Sequence, residues 1–489
     1  MIKPERTKNS QHLLLLSFIL AFCSISLIVL EGPQFVSILG GIFSLSAVLL
    51  WIIYFPDVLL MVLISLCFDV FGLYPVLQEL RLPWAYGATP PDLILVLVLF
   101  AILTKSFRIR PGEAWWLDYR YLLNLNWVIV IYVIFLTIYS SFITGRSPLN
   151  YAMRIGEGHF LYYSTFMYAM LFIDKQRHVK NLINFIRVAG ILVALFSICS
   201  NITQRPITNA VCSAQYGSIL RVGVPGYAFS LFVILFGYIN YVRKSKEIQI
   251  FLLEIATNLV GFLLYLARMW IISLCLMLII SLTYLRKGVT KGATVATLFA
   301  GVIALVAICI SPDIVSNLTT DISERFTSGY QEFRSGTSSM NIRFSQIRMG
   351  YELFRETPIW GTGFIREGSP YWENKIAPYG YAVTYCADYG LFSILYTTGL
   401  IGFSLITVFI ILAIKEMMHI FHKSKNVFVK NLALGACVIV GVDYFVTQFA
   451  GNCFGTKQVT FYLLLIALSL KSYSIFESGE NRTQGFHPI

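Results

Sequence analysis

Lysine and arginine recur in every second connection between the long apolar windows of this 489-residue chain. "KPERTK", "KSFRIR", "KQRHVK", "RKSK", "RKGVTK" and "KEMMHIFHKSKNVFVK" carry them, and the connections between are poor in them. The windows fall near 11–30, 33–54, 58–76, 91–104, 125–144, 159–174, 182–200, 224–242, 248–266, 268–285, 292–311, 390–413, 430–450 and 456–471. Most are close to the roughly 17–23 residues that cross a bilayer. Cations collect on the cytoplasmic side of such spans. The pattern predicts an all-α polytopic membrane protein of about 14 helices, with both termini cytoplasmic. The start "MIKPERTKNSQH" precedes a full apolar span and lacks a small-residue cleavage site, so it reads as a retained first helix rather than a signal peptide.

Composition agrees. The chain is 57% hydrophobic and 13% charged, with a mean hydropathy of +0.72, more apolar side chain than a soluble fold can hide. The net charge of +12 reports topology in such a chain rather than an acidic partner such as nucleic acid. Nine cysteines lie mostly in apolar stretches with no CxxC pair, and six histidines form no HExxH cluster. Those patterns argue against a disulfide framework, a structural zinc site or a protein-bound catalytic metal, and no cofactor is expected. No internal repeat is visible, which weakens transporter architectures built from repeated halves.

One outside connection is far longer than a helix hairpin needs. Residues 312–380 hold six arginines, one lysine and eight carboxylates, then the aromatic run "PYWENKIAPYGYAVTYCADYG". Loops of this length are usually functional. The chain therefore divides into a helix bundle at 1–311, an outer loop at 312–389 and further spans at 390–489. Inside the loop, "NIRFSQIRMGYELFRETPIWGTGF" (341–364) reads as a helix followed by a Pro and a Gly-x-Gly turn. On a wheel, Phe344, Ile347, Tyr351 and Phe354 share one apolar stripe, with Arg343 to one side and Arg348 and Arg355 to the other. Arg348 and Arg355 suit a helix lying at the membrane surface and snorkelling to headgroups. Arg343, in the first turn after "SGTSSMN", suits a diphosphate, which the amide groups of a helix N-terminus and a guanidinium fork both attract.

Three stretches resemble the O-antigen polymerase and ligase superfamily. "YLARMWIISLCL" is similar to the family's Ser-Arg-Gly pattern, with Arg268 kept and Ala267 and Met269 beside it. Arg343, Pro358, Gly361 and Gly363 are similar to its Arg followed by a Pro and Gly-x-Gly. "DYGLFSILYTTGLIGF" looks like its entry into the helix after the large loop, with Gly399 and Gly402 matching Gly-x-x-Gly. The ligase branch typically opens that stretch with a His eleven positions before the first Gly, and here the position is Asp388. That departure leans toward the polymerases. The resemblance covers roughly 255–410 and implies a GT-C-like glycosyltransferase of the Wzy type at the outer face of a bacterial inner membrane. Its substrate would be an undecaprenyl-diphosphate-linked oligosaccharide, with membrane lipid around it and a chain-length regulator as a candidate partner. A ligase acting on lipid A core or another acceptor is the nearest alternative. A polysaccharide flippase is the alternative from another class.

The implied reaction sets the site residues. A departing lipid diphosphate needs fixed positive charge, which Arg343 and Arg268 can supply; an arginine in or at the end of an apolar helix is usually functional, with snorkelling as the plain alternative. Asp388 is the candidate base for the acceptor hydroxyl, with helix capping as its plain role. Arg154, beside Glu157 and His159, and Arg205 and Arg221 in the outside loop 201–223 are further diphosphate candidates. Interfacial or solvated charge explains each of them as well. Gly361, Gly363 and Arg348 complete the substrate set. Tyr385, with Tyr371, Trp372, Tyr379 and Tyr381, can stack on sugar rings or sit in an interfacial aromatic belt. Asp69, Arg187, Glu254 and Asp443 fall within spans and read first as buried ion pairs.

Overall fold

The computed structural model describes residues 51, 54–68, 90–106, 119–149, 152, 161–203, 205, 212–216, 219–222, 253–261, 273, 276–277, 279–280, 320, 339–365, 368–379, 390–445 and 459–484. Helices dominate: α1 (Pro56–Phe68), α2 (Pro90–Ser106), α3 (Arg120–Ile138), α4 (Ser164–Phe172) and α5 (Gln176–Thr203), then α6 (Ser339–Glu356), α7 (Pro370–Lys375), α8 (Leu391–Lys423), α9 (Val427–Phe445) and α10 (Val459–Gln484). Among the described residues, five helical stretches are long and apolar enough to cross a membrane: Arg120–Ile143, Gln176–Thr203, Phe392–Lys423, Val427–Phe445 and Val459–Glu477. The expected spans at 11–30, 33–54, 224–242 and 292–311 lie almost wholly outside the described residues, and so does most of 268–285.

The described residues are overwhelmingly helical, as expected of an all-α chain, with one small addition. The outside connection after α5 holds an antiparallel hairpin, β1 (Cys212–Tyr216) with β2 (Ile219–Val222), in which Tyr216 faces Ile219 and Ala214 faces Arg221. Two residues, Gly217 and Ser218, separate the strands, a spacing that closes a tight hairpin. β2 lies against α5.

The bundle is layered around α10. Phe461 to Leu468 are essentially inaccessible along its first half, and α10 packs on α1, α4, α5, α8 and α9. A helix apolar all round belongs inside a bundle, and the neighbouring helices bury this stretch of α10. Two carboxylates within the bundle are paired. Arg187 meets Glu254 through Nη2–Oε1 at 2.8 Å and Nε–Oε2 at 3.1 Å, which realises the ion pair expected for two of the charged residues in spans. Tyr462 donates to the fully buried Asp443 at 2.9 Å; Asp69 lies outside the described residues.

At the end where the basic connections fall, Lys105 sits 4.2 Å from the Phe172 ring centre and Lys430 5.0 Å from that of Phe421. Asn181 donates to Asp57 there at 2.7 Å. The opposite end carries the turn after α3, the α6–α7 segment and the start of α8. Met349, Leu353, Ile376 and Tyr396 form a second, smaller core that joins α6 and the α7 segment to α8.

Candidate functional site

Helix α8 is broken at Gly399, which adopts φ 64° and ψ −173° in its interior. A break strips backbone groups of their helical partners, and within a membrane each unsatisfied group costs several kcal/mol. Residues 358–363 supply the partners. Thr362 N donates to Tyr396 O at 2.7 Å and Gly363 N to Thr397 O at 3.0 Å. In return Leu400 N donates to Pro358 O at 2.9 Å and Ile401 N to Ile359 O at 3.3 Å. The Pro–Gly-x-Gly turn lies along the break like a short strand. The two glycine-bearing stretches of the sequence therefore converge in space.

Glycine is required where they touch. Gly361 (φ +74°) and Gly399 (φ +64°) lie in the left-handed region, and a Cβ on either would press within 3.0 Å of the other's backbone. Gly363 (φ +68°) leaves room for the Ser140 hydroxyl. Gly402 leaves room for Tyr132, whose Cε1 would stand 2.7 Å from an added Cβ.

The third side of the site comes from α3. The Tyr132 hydroxyl donates to Thr398 O at 2.7 Å, taking up another carbonyl freed by the break, and lies 3.3 Å from Trp360 O. Beyond Ile138 the helix widens into a π-turn, Tyr139–Ile143, a feature often found at functional sites. It sets Ser140 to accept from Phe364 N at 2.7 Å. Arg146, just past that turn, donates from Nη1 to Thr362 O at 2.9 Å and lies 4.4 Å over the Tyr371 ring.

Across α6 lies the aromatic segment. Ser369 caps α7 by accepting from Trp372 N at 3.2 Å. Tyr371 and Lys375 donate to Glu356 at 2.8 and 2.5 Å, and Tyr379 donates to Glu352, which also accepts from Arg348 at 3.2 Å. The Tyr379 and Arg348 bonds hold Glu352 below the usual glutamate range. Burial alone would raise Glu356, but the bonds from Lys375 and Tyr371 outweigh it and lower it. Burial, and then the bond to Glu356, push the Tyr371 hydroxyl up.

Of the expected site residues, Asp388, Arg268, Arg154 and Tyr385 lie outside the described residues. Arg221 is placed in β2 and Arg343 in α6 by their backbones. Because α6 already begins at Ser339, Arg343 sits in its second turn rather than its first; the last three residues of the polar run, 339–341, are part of the helix. Arg205 is exposed just beyond α5, its amide on Ser200 O at 3.2 Å. Arg348 is exposed and engaged with Glu352. The wheel's Ile347 and Tyr351 are exposed, whereas Gln346, Met349 and Leu353 face protein. Tyr132, Ser140 and Arg146 were not anticipated; their signals are a hydroxyl pair and a Gly-Arg turn at the end of an apolar span.

Residues 255–407 match the Wzy_C family, described as O-antigen ligase. The match, over less than a third of the chain, supports the resemblance of this segment to the O-antigen polymerase and ligase superfamily. The O-antigen superfamily match contains Gly361, Gly363, Gly399 and Gly402, while Tyr132, Ser140 and Arg146 precede it. Members of that family are ligase- or polymerase-type enzymes that transfer glycans, and the match indicates a function of that general type. No curated protein matches the chain.

Proposed function

We propose that this protein is an O-antigen or exopolysaccharide polymerase, moving a growing glycan from undecaprenyl diphosphate onto another lipid-linked repeat unit. The observation that carries this reading is the convergence of the Pro358–Gly363 turn on the broken helix at Gly399, inside the segment that matches the family. A discontinuous helix in a membrane is tolerated where protein satisfies it or where it lines a cavity, and such breaks mark substrate sites in other membrane proteins. Asp388 stands three positions before the first residue of α8 in sequence, and Arg343 lies on α6, which packs on α8.

The chemistry follows from those residue types. The acceptor hydroxyl oxygen forms a bond to the anomeric carbon while the bond from that carbon to the diphosphate oxygen breaks. The bonding pair leaves on the diphosphate, and the Asp388 carboxylate takes the hydroxyl proton. Arg343 and Arg268 neutralise the charge that develops on the leaving group. One displacement of this kind inverts the anomeric centre. The basic connections favour the inner membrane, with the site on its outer face.

A second reading, transfer of finished glycan to lipid A core or another acceptor, is favoured by the description of the matched family. Purified protein given only lipid-linked repeat units separates the two: chain elongation supports the polymerase, and dependence on a separate acceptor lipid supports the ligase. Asp388→Asn and Arg343→Ala in a strain lacking the native enzyme test the residues. Long surface glycans on a gel from both variants, at normal protein levels, would overturn the assignment.

A further inference from the structure

We infer that Arg146 is a positioning residue for glycan transfer, the joint through which the turn after α3 fixes both the Pro358–Phe364 turn and the aromatic segment Ser369–Tyr379. This rests on the transferase reading above. Both ends of the residue are anchored. Gly145, at φ +63° with open space around it, turns the chain back so that Arg146 N and Ser147 N donate to Ser140 O at 2.9 and 3.3 Å. The same Ser140 holds Phe364 N by its hydroxyl. The Arg146 guanidinium then reaches Thr362 O, a residue with no exposed surface. Thr362 and Phe364 are thus tied to one turn at two points.

The outer face of the guanidinium does the second task. It covers Tyr371, whose hydroxyl is held by Glu356, the carboxylate that Lys375 also engages. A planar guanidinium donates in its plane and stacks by its face at once; an ammonium, a compact point charge, has no face to stack. The consequence concerns Asp388. It lies between Tyr379, at the end of the segment leaning on Arg146, and Gly390, at the start of the helix that the Pro358–Phe364 turn braces. The described stretches on either side of the candidate base in sequence are therefore joined by one side chain contributed by the first half of the chain, outside the matched family segment.

The test uses the full-length protein in nanodiscs, with lipid-linked repeat units as substrate and deuterium exchange as a second readout. Arg146→Ala is expected to cut transfer roughly 10- to 100-fold, the scale on which small misplacements act. Arg146→Lys falls between it and the wild type, and millimolar guanidinium restores part of the alanine variant's activity. Exchange rises in 358–365 and 369–379 and stays unchanged in α9 and α10. Full activity in Arg146→Ala overturns the inference. So does lost activity with unchanged exchange, which would place Arg146 on the substrate itself. If Arg146→Ala does not fold, Arg146→Lys and Tyr371→Leu carry the test, each expected to loosen 369–379 and slow transfer. A wild-type protein that transfers nothing from any lipid-linked saccharide overturns the transferase reading and the catalytic half of this inference, while the exchange data still decide the clamp.

Discussion

Gly361 and Gly399 meet backbone to backbone, each in the left-handed region and each occupying the space a Cβ on the other would need. Alanine at either position meets strain of about 1–3 kcal/mol and a main-chain collision besides. Gly361→Ala and Gly399→Ala should each lower the melting temperature of the detergent-purified protein and its level in membranes. Because both substitutions spoil one contact, the double variant should cost less than the sum. Gly368→Ala is the control: its φ is +75° but nothing lies within 4 Å, so it should show strain alone. Equal effects at 368 and 399 would sink the argument.

Tyr132 caps the break by donating to Thr398 O. Tyr132→Phe keeps the ring and removes the donor, leaving that buried carbonyl unsatisfied. The expected loss is about 1–3 kcal/mol, read as a lower melting temperature. Ser140→Ala should cost a similar amount, since Phe364 N loses its acceptor. Neither change adds bulk, so an unchanged melt in both would mean that the break draws its stability elsewhere.

Much of the bundle was legible because its signal is local. Apolar windows gave α3, α5, α8, α9 and α10 near their places, and charges inside two windows anticipated the Arg187–Glu254 pair. The glycines were legible as motifs, but their purpose was not. Their partners are carbonyl and amide groups, which carry no sequence identity, and the side chains that join them lie more than two hundred residues away: Tyr132 to Thr398 spans 266 positions and Arg146 to Thr362 spans 216. The wheel of α6 found an apolar stripe without telling which face meets protein. The helix has two apolar faces, Ile347–Tyr351 outward and Met349–Leu353 inward, and periodicity alone cannot rank them.

The Arg187–Glu254 pair is largely buried, with side chains 15% and 13% exposed. Removing one partner strands the other charge inside the bundle, a loss on the order of 3–5 kcal/mol. Arg187→Leu and Glu254→Leu should each destabilise strongly, and the double variant should recover most of the loss, because an apolar pair needs no desolvation. Protein yield and thermal unfolding of the three variants check this; a double variant worse than either single would show that the pair is not the unit of stability.

The attachment of 370–379 to α6 should weaken in acid. Glu352 and Glu356 both have lowered folded values, held by Tyr379 with Arg348 and by Lys375 with Tyr371. A carboxylate lowered by folding contributes stability that is fully present above its unfolded value and is lost as pH falls through the folded one. The segment should therefore be firmly docked at neutral pH and loosen as pH drops through and below the ordinary glutamate range. Both sites are partly exposed, so salt screens the charge pairs and moderates the effect. Limited proteolysis with an acid-active protease, followed across pH, reads this as faster cleavage within 370–379. Glu352→Gln with Glu356→Gln should cleave faster already at neutral pH and lose most of the pH dependence. A wild-type cleavage rate that stays flat across that range would show that the apolar contacts of Ile376 with Met349 and Leu353, and not the carboxylates, hold the segment down.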